Sequence, residues 1–337
     1  MKKSLIIALG AIALVACTKT SVSYEQTGEI GFAPVVRKNS TKAAVEGTAF
    51  PNQNIKVYGY YDNSMPVGSS YAPGKFAVEY LPGVDFAKKG ATWAGATTSY
   101  YWPKTGSMLF AGYSPVDFGI DKVTFSLANN KFSVAELEQP EFSATKDLLY
   151  AGRGTSVLGG TVDMVFSHAL SWVTVKANAA AANQIKITKI KFVGLAANGS
   201  SDGLPEWTTT GTKKITVFAP TSAFAVPAST PGTGTLVESN ENCGLVFPQT
   251  LADAAAIEVS YEMNNGANQW FAQDKFVQKL NLLKSGADTI NEWKAGKHYT
   301  YIINFSAIEG PGSENEIKIN PSITDWTPVN ADGISAN

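Results

Sequence analysis

Cysteine and histidine are scarce, with two of each in 337 residues. His168 and His298 stand far apart, and neither an HExxH run nor a paired-cysteine spacing occurs, so no metal site is expected. Cys17 and Cys243 are too few for a disulfide framework, and the fold must rest on burial. Charge is thin as well: Asp, Glu, Lys and Arg make up 16% of the chain, below the roughly 25% usual in soluble domains. With a net charge of -1 and no basic cluster after Lys3, nucleic acid is not an expected partner. Long segments with a 3.6-residue apolar period are missing too, which argues against a helical fold. Thr, Ser, Ala, Asn and Gly fill the deficit and suit strands and turns. The 44% hydrophobic content is enough for a sizeable core.

What is present is alternation. Ile257, Val259, Tyr261 and Met263 are separated by Glu258, Ser260 and Glu262, the pattern of a half-buried strand. The same period runs through Tyr299, Tyr301, Ile303 and Phe305, through Ile317 and Ile319, and through Val123, Phe125 and Leu127. From Val162 the apolar residues fall on even positions and then shift to odd ones at Val173, which calls for a bulge or a change of sheet near Ser171. Gly and Pro clusters at 64–74 and 227–234 break the strands. The expected fold is all-β, with two β-sandwiches in tandem joined in the Gly152–Gly160 stretch. The expected spans are 28–156 and 157–337.

The chain opens with Lys2 and Lys3, an apolar stretch from Leu5 to Val15 and a small residue, Ala16, before Cys17. That is export-signal geometry, and at about a dozen residues the stretch is shorter than the ~20 that a spanning helix needs. The LVAC sequence at 14–17 resembles a bacterial lipoprotein signal. The resemblance implies that residues 1–16 are removed, that the Cys17 thiol is acylated, and that residues 17–27 tether the fold to a membrane. Several acyl chains at about 0.8 kcal/mol per methylene suffice for durable anchoring. Cys243 is then left without a partner and reads as a small buried apolar residue.

Catalytic patterns fail on inspection. Residues 90–97 (GATWAGAT) have Walker-like glycine spacing, but Ala96 stands where the phosphate-binding lysine belongs, so a loop is expected. Residues 112–116 (GYSPV) begin like a nucleophile elbow and lack its closing glycine. No enzyme activity and no cofactor are expected. His168 falls on the buried parity of its strand, as a hydrogen-bonded core histidine would, and His298 on the wet parity. Tyr58, Tyr60, Tyr61, Tyr100, Tyr101, Trp102 and Trp270 offer a sugar-stacking platform, although core packing accounts for most such residues.

Eight stretches, in order across nearly the whole mature chain, resemble the Bacteroides-type fimbrillin (Mfa-like) family of type V pilus subunits. They are GEIGFAPVV (28–36), TKAAVEGTAF (41–50), IKVYGYY (55–61), YYWPKTGSMLFAGYSP (100–115), KDLLYA (146–151), VFSHALSWVTV (165–175), WKAGKHYTYIINF (293–305) and IKINPSITDW (317–326). The resemblance implies two transthyretin-like β-sandwich domains and an outer-membrane lipoprotein precursor at the cell surface. It also implies a structural or adhesive role in a fimbria, with His168 and Trp326 as landmarks of the fold.

The resemblance further implies a mechanism. An Arg-specific surface protease cuts after a basic residue, a leading strand leaves, and a partner subunit's terminal strand fills the lane. Here the displaced strand would carry Ile30, Phe32 and Val36, and the donor strand Ile317, Ile319 and Ile323. Arg37, followed by Lys38 in a polar turn, is the natural scissile residue, though an ordinary solvated turn explains it equally. Many relatives carry arginine where this chain has Lys42, so cleavage after Arg37, after Lys42 or not at all stays open. The implied partners are other fimbrial subunits, the protease and the outer membrane through the lipid anchor. The alternative is a monomeric surface lipoprotein of the same fold that binds a glycan or host ligand. Asp288-Thr289-Ile290 also resembles an O-glycosylation acceptor of these bacteria.

Overall fold

The structure is a computed structural model, and it describes residues 28–37, 48–142, 146–219, 222–230, 233–237, 244–264, 269–273, 275–306 and 317–326. Apart from one three-residue 3-10 turn at Leu280–Leu282, the regular elements described are strands. The all-β class expected from the alternation is therefore what the chain adopts. Ile257, Val259 and Tyr261 are buried and Glu258, Ser260 and Glu262 are not, as their period requires.

Strands of the first half form one eight-stranded sheet. Its spatial order is Thr161–His168, Leu149–Ala151, Ser107–Ser114, Ile55–Asp62, Val78–Lys89, Thr92–Gly95, Gly31–Val36, Thr48–Ala49. The sheet closes on itself, because Gly31–Val36 also pairs in parallel with Thr161–His168 along six residues. Inside lies a core of Ile30, Phe32, Phe86, Trp102, Phe110 and Phe166 with their neighbours. Every residue of Ser107–Ser114 is buried, since Met108 and Phe110 face this core while Ala111 and Tyr113 face the next.

The second half stacks two sheets. One contains Ser171–Ala179, Lys297–Phe305 and, at its edge, Ile317–Asp325. The other is built on Ile185–Leu195 and Ala256–Asn264. Val175, Ile187, Phe192, Val259, Tyr301 and Phe305 are among the side chains that fill the space between them.

The two halves are sewn together. Val123–Ser126 and Lys131–Glu138 join Asn198–Gly203 and Glu206–Thr210 in a four-stranded sheet drawn from both. A third core lies at this junction, where Tyr113, Phe132 and Leu148 meet Trp172, Leu204, Phe247 and Trp326. The Gly152–Gly160 stretch falls between Leu149–Ala151 and Thr161–His168, two neighbours in the first sheet. The chain changes sheet at Ala169–Leu170, beside the parity shift at Ser171. The 90–97 stretch, expected as a loop, instead turns at Gly90 and runs into the strand Thr92–Gly95. Gly95 is required there: a Cβ would stand 1.9 Å from the carbonyl oxygen of Thr98.

Candidate assembly site

The leading strand, Gly31–Val36, is held on both sides. Phe32 pairs with Trp93 and Val35 with Ala49 on one flank, and the six-residue parallel ladder to Thr161–His168 forms the other. Hydrogen bonds extend past both ends. Ile30 N–H donates to the Tyr100 carbonyl at 2.7 Å, Trp102 N–H to the Gly28 carbonyl at 3.1 Å, and Arg37 N–H to the Phe166 carbonyl at 2.7 Å. Ile30, Phe32 and Val36 are fully buried, and the Phe32 ring meets Phe86 and Phe110 edge-on at 4.8 and 5.1 Å. Pro34 is buried in the same row. Sequence parity missed it because proline usually marks a break rather than a core position. Immediately after this row Arg37 is exposed. Lys38, Lys42, Cys17 and Cys243 lie outside the described residues.

The terminal strand, Ile317–Asp325, lies at a sheet edge and pairs along nine residues with Lys297–Phe305. Ile317 and Ile319 pack against the second core, but Ile323 is 38% exposed. The far end of the strand is pinned. Lys297 and Asp325 form an ion pair, and Trp326 N–H donates to the Gly296 carbonyl at 3.0 Å. The Trp326 ring stacks on His168 at 3.7 Å. His168 is buried, and its Nδ1 lies 2.8 Å from Asp147 Oδ2, so it is the hydrogen-bonded core histidine that its parity suggested.

His298 departs from its expected wet position. It is half-buried, stacked on Trp172 at 3.7 Å, with Nε2 3.0 Å from Thr174 Oγ1. Burial holds its pKa down to about 4, and the Lys176 charge adds to the effect. The outer face of the strand is covered at this end because Trp172 and Trp326 converge at the junction of the halves, 5.6 Å apart. Single-strand parity carries no sign of such a cover.

The other candidate residues serve packing. Ser114 is fully buried and its hydroxyl donates to the Asn54 carbonyl at 2.8 Å. Tyr60 and Trp102 are buried, and Tyr58, Tyr61 and Tyr100 pack against the cores of the first half. Trp270 belongs to a sheet of the second half and lies under Lys186, whose Nζ is 3.9 Å from the ring centre, so the seven aromatics do not form one platform. Thr289 is exposed in a short hairpin strand. Among the described residues, no group of three or more His, Cys, Asp or Glu is placed to hold a metal ion.

The chain is similar in fold to a solved structure from Bacteroides ovatus, described as a candidate cell adhesion protein, which matches with a TM-score of 0.52 and 15% identity over 90% of this chain and 99% of its own. A second of the same description, from Bacteroides uniformis, has a TM-score of 0.49 and 16% identity over 89% and 98%. The fimbrial anchor protein Mfa2 from Porphyromonas gingivalis has 0.33 and 12% over 89% and 98%. No curated protein matches the chain. The Fimbrillin-like family model matches residues 41–326, most of the sequence, and this chain belongs to the fimbrillin-like family.

Proposed function

We propose that the chain is a structural and adhesive subunit of a surface fimbria, exported as a lipoprotein and assembled by exchange of a β-strand between subunits. Membership of the fimbrillin-like family supports the fimbrial role. Cys17 would carry the acyl chains and hold the precursor in the outer membrane, with the two folded halves outside. An Arg-specific surface protease would cut after Arg37; cleavage after Lys42, the alternative, would need a protease that accepts lysine.

The observation that carries the mechanism is the leading strand itself. It is a short segment that fills a core, closes a sheet and ends at an exposed arginine. Its loss would leave a row of unpaired N–H and C=O groups on Thr161–His168 above empty apolar positions, a template for strand addition. Three or four buried side chains at ~1.5–3 kcal/mol each give a replacement strand roughly 5–10 kcal/mol of burial, as an upper bound. That is enough for a lasting polymer. Incubating the precursor with an Arg-specific protease is expected to release the N-terminal fragment and produce an SDS-resistant ladder, and Arg37→Ala to block both. A cleaved chain that stays monomeric would overturn the proposal.

One observation favours the alternative of a monomeric surface lipoprotein that binds a glycan or host ligand. A cavity of about 250 Å³ lies at the junction of the halves, lined by Phe118, Leu137, Leu170, Leu245 and Phe247 with the Lys146–Asp117 ion pair beside it. Glu138 and Gln139 also line it, so it offers polar groups beside an apolar wall, as a ligand of mixed character needs. A cleaved, monomeric chain retained on a glycan or ligand array would support this second function.

A further inference from the structure

Arginine is nearly missing from this chain. Of its 27 basic side chains 25 are lysines, and the two arginines are Arg37 and Arg153. A protease that cuts only after arginine therefore has two candidate bonds in the whole sequence. The fold treats them in opposite ways.

Arg37 is exposed at the end of the leading strand. Arg153 is half-buried in the stretch between Leu149–Ala151 and Thr161–His168, where its neighbours Gly152, Gly154 and Thr155 are exposed. Local composition would make this the better site of the two, since exposed loops of small and polar residues are preferred places for nicking.

The arginine itself is nonetheless withheld. Its guanidinium lies over the Tyr71 ring, with Cζ 4.3 Å from the ring centre. Nη1 donates to the Leu127 carbonyl, and the Ala128 carbonyl oxygen is 3.5 Å away. The backbone is held beside it, because Arg153 N–H donates to Asn130 Oδ1 at 2.6 Å. Asn130 presents that oxygen from a left-handed turn, φ 53°, a conformation asparagine tolerates better than most residues. A few residues on, the chain is fastened again. Ser156 Oγ donates to the Pro66 carbonyl at 2.9 Å, Ser156 N–H to the Ser69 carbonyl at 2.9 Å, and Val157 N–H to the Met108 carbonyl at 2.8 Å.

These contacts oppose what cleavage needs. A trypsin-like enzyme draws the guanidinium into an acidic pocket and binds the flanking backbone in extended form. Arg153 offers neither until Tyr71, the 127–130 turn and the 66–69 loop let go. Its position matters as well: a cut after Arg153 severs the chain just ahead of Thr161–His168, the strand that walls the leading lane.

We propose that the Arg153–Gly154 bond is a second Arg-specific cleavage site, masked in the folded chain by Tyr71, Asn130 and the Leu127 carbonyl, and that this mask confines cleavage to Arg37. The proposal rests on the processing step given above and adds what makes that step selective, which is conformation rather than sequence. A folded chain is cut once and an unfolded chain twice. The same enzyme thus primes a folded precursor and divides an unfolded one within its first sheet. Where opening and reclosing are fast relative to cutting, the rate at Arg153 follows the population of the open form.

The test digests the full chain with an Arg-specific protease, folded and in urea, and follows both cuts by mass spectrometry. The folded chain is expected to be cut after Arg37 and stay whole from Lys38 onward, while the unfolded chain also gives fragments 38–153 and 154–337. Two folded variants then address the mask. Asn130→Gly removes the acceptor and keeps the left-handed turn, and Tyr71→Leu removes the ring face and keeps an apolar side chain against its core. Each is expected to speed the cut after Arg153 at least ~10-fold and leave the cut after Arg37 unchanged. A Lys-specific protease, for which the chain offers 25 sites, reads general loosening, and its cleavage pattern is expected to stay the same. Cleavage of the folded parent after Arg153 as fast as after Arg37 would overturn the mask. Variants as resistant as the parent, or lysine cuts that rise equally with the cut at Arg153, would overturn the named contacts as its cause. A folded chain left uncut after Arg37, with the unfolded chain cut at both arginines, would overturn the processing step while leaving the mask at Arg153 standing.

Discussion

Phe32 is the side chain on which the leading strand most depends, because it is fully buried between two other rings. Phe32→Ala should cost the uncleaved chain about 3–5 kcal/mol, since it removes a buried aromatic from a core that closes only partly around the void. Urea unfolding will read this as a lower midpoint with an unchanged slope. His298 behaves differently, through pH. Its pKa in the fold, about 4, lies below the ~6.5 of an unperturbed histidine. The unfolded chain therefore binds the proton first as pH falls, and the stability His298 contributes above pH ~6.5 is lost progressively toward pH 4. His298→Gln should flatten the fall in urea midpoint over that interval. An equal fall in both proteins would show that other groups govern it.

At the scale of elements, the terminal strand is an edge strand with a pin at one end. Its nine-residue ladder and Ile319 hold the middle, while Trp326, stacked on His168, ties the far end to the last strand of the first sheet. Trp326→Ala should let the strand open without unfolding the sheets. Hydrogen exchange of amides in 317–325 is expected to accelerate at least ~10-fold, equivalent to ~1.4 kcal/mol of local stability, with Ile257 and Val259 unaffected. Uniform acceleration across the chain would instead make Trp326 a general core residue. Alternation made these strands legible: Ile257 to Tyr261 and Tyr299 to Phe305 alternate in the structure as they do in the sequence. Pairing was not legible, because period two states which face is buried and says nothing of the neighbour. Thus Ile30, Phe32 and Val36 could be named from their spacing, whereas the parallel partner of that strand, Thr161–His168, could not.

Over the whole molecule, the mixed sheet and the junction core make the halves interdependent. Lys131–Glu138 pairs with Asn198–Gly203, and Phe132 and Tyr113 share a core with Trp172 and Phe247. Heating should therefore give one cooperative transition, with calorimetric and van't Hoff enthalpies in agreement. Two separated peaks would show that each half folds alone. The Gly152–Gly160 stretch looked like a linker because glycine and threonine outnumber apolar residues there. Local composition does not record that the next strand, Thr161–His168, returns to close the first sheet.

By itself the sequence determined the all-β class, the buried faces of Ala256–Asn264 and Lys297–Phe305, the scarcity of histidine and cysteine, and the two apolar rows at 30–36 and 317–323. These follow from period and composition, which are local. Tertiary structure alone decided that the leading strand closes a sheet, that His298 is covered, that Trp326 pins the terminal strand and that both halves share a core. Each of these depends on residues distant along the chain, brought together by the burial of surfaces whose partners no local pattern specifies.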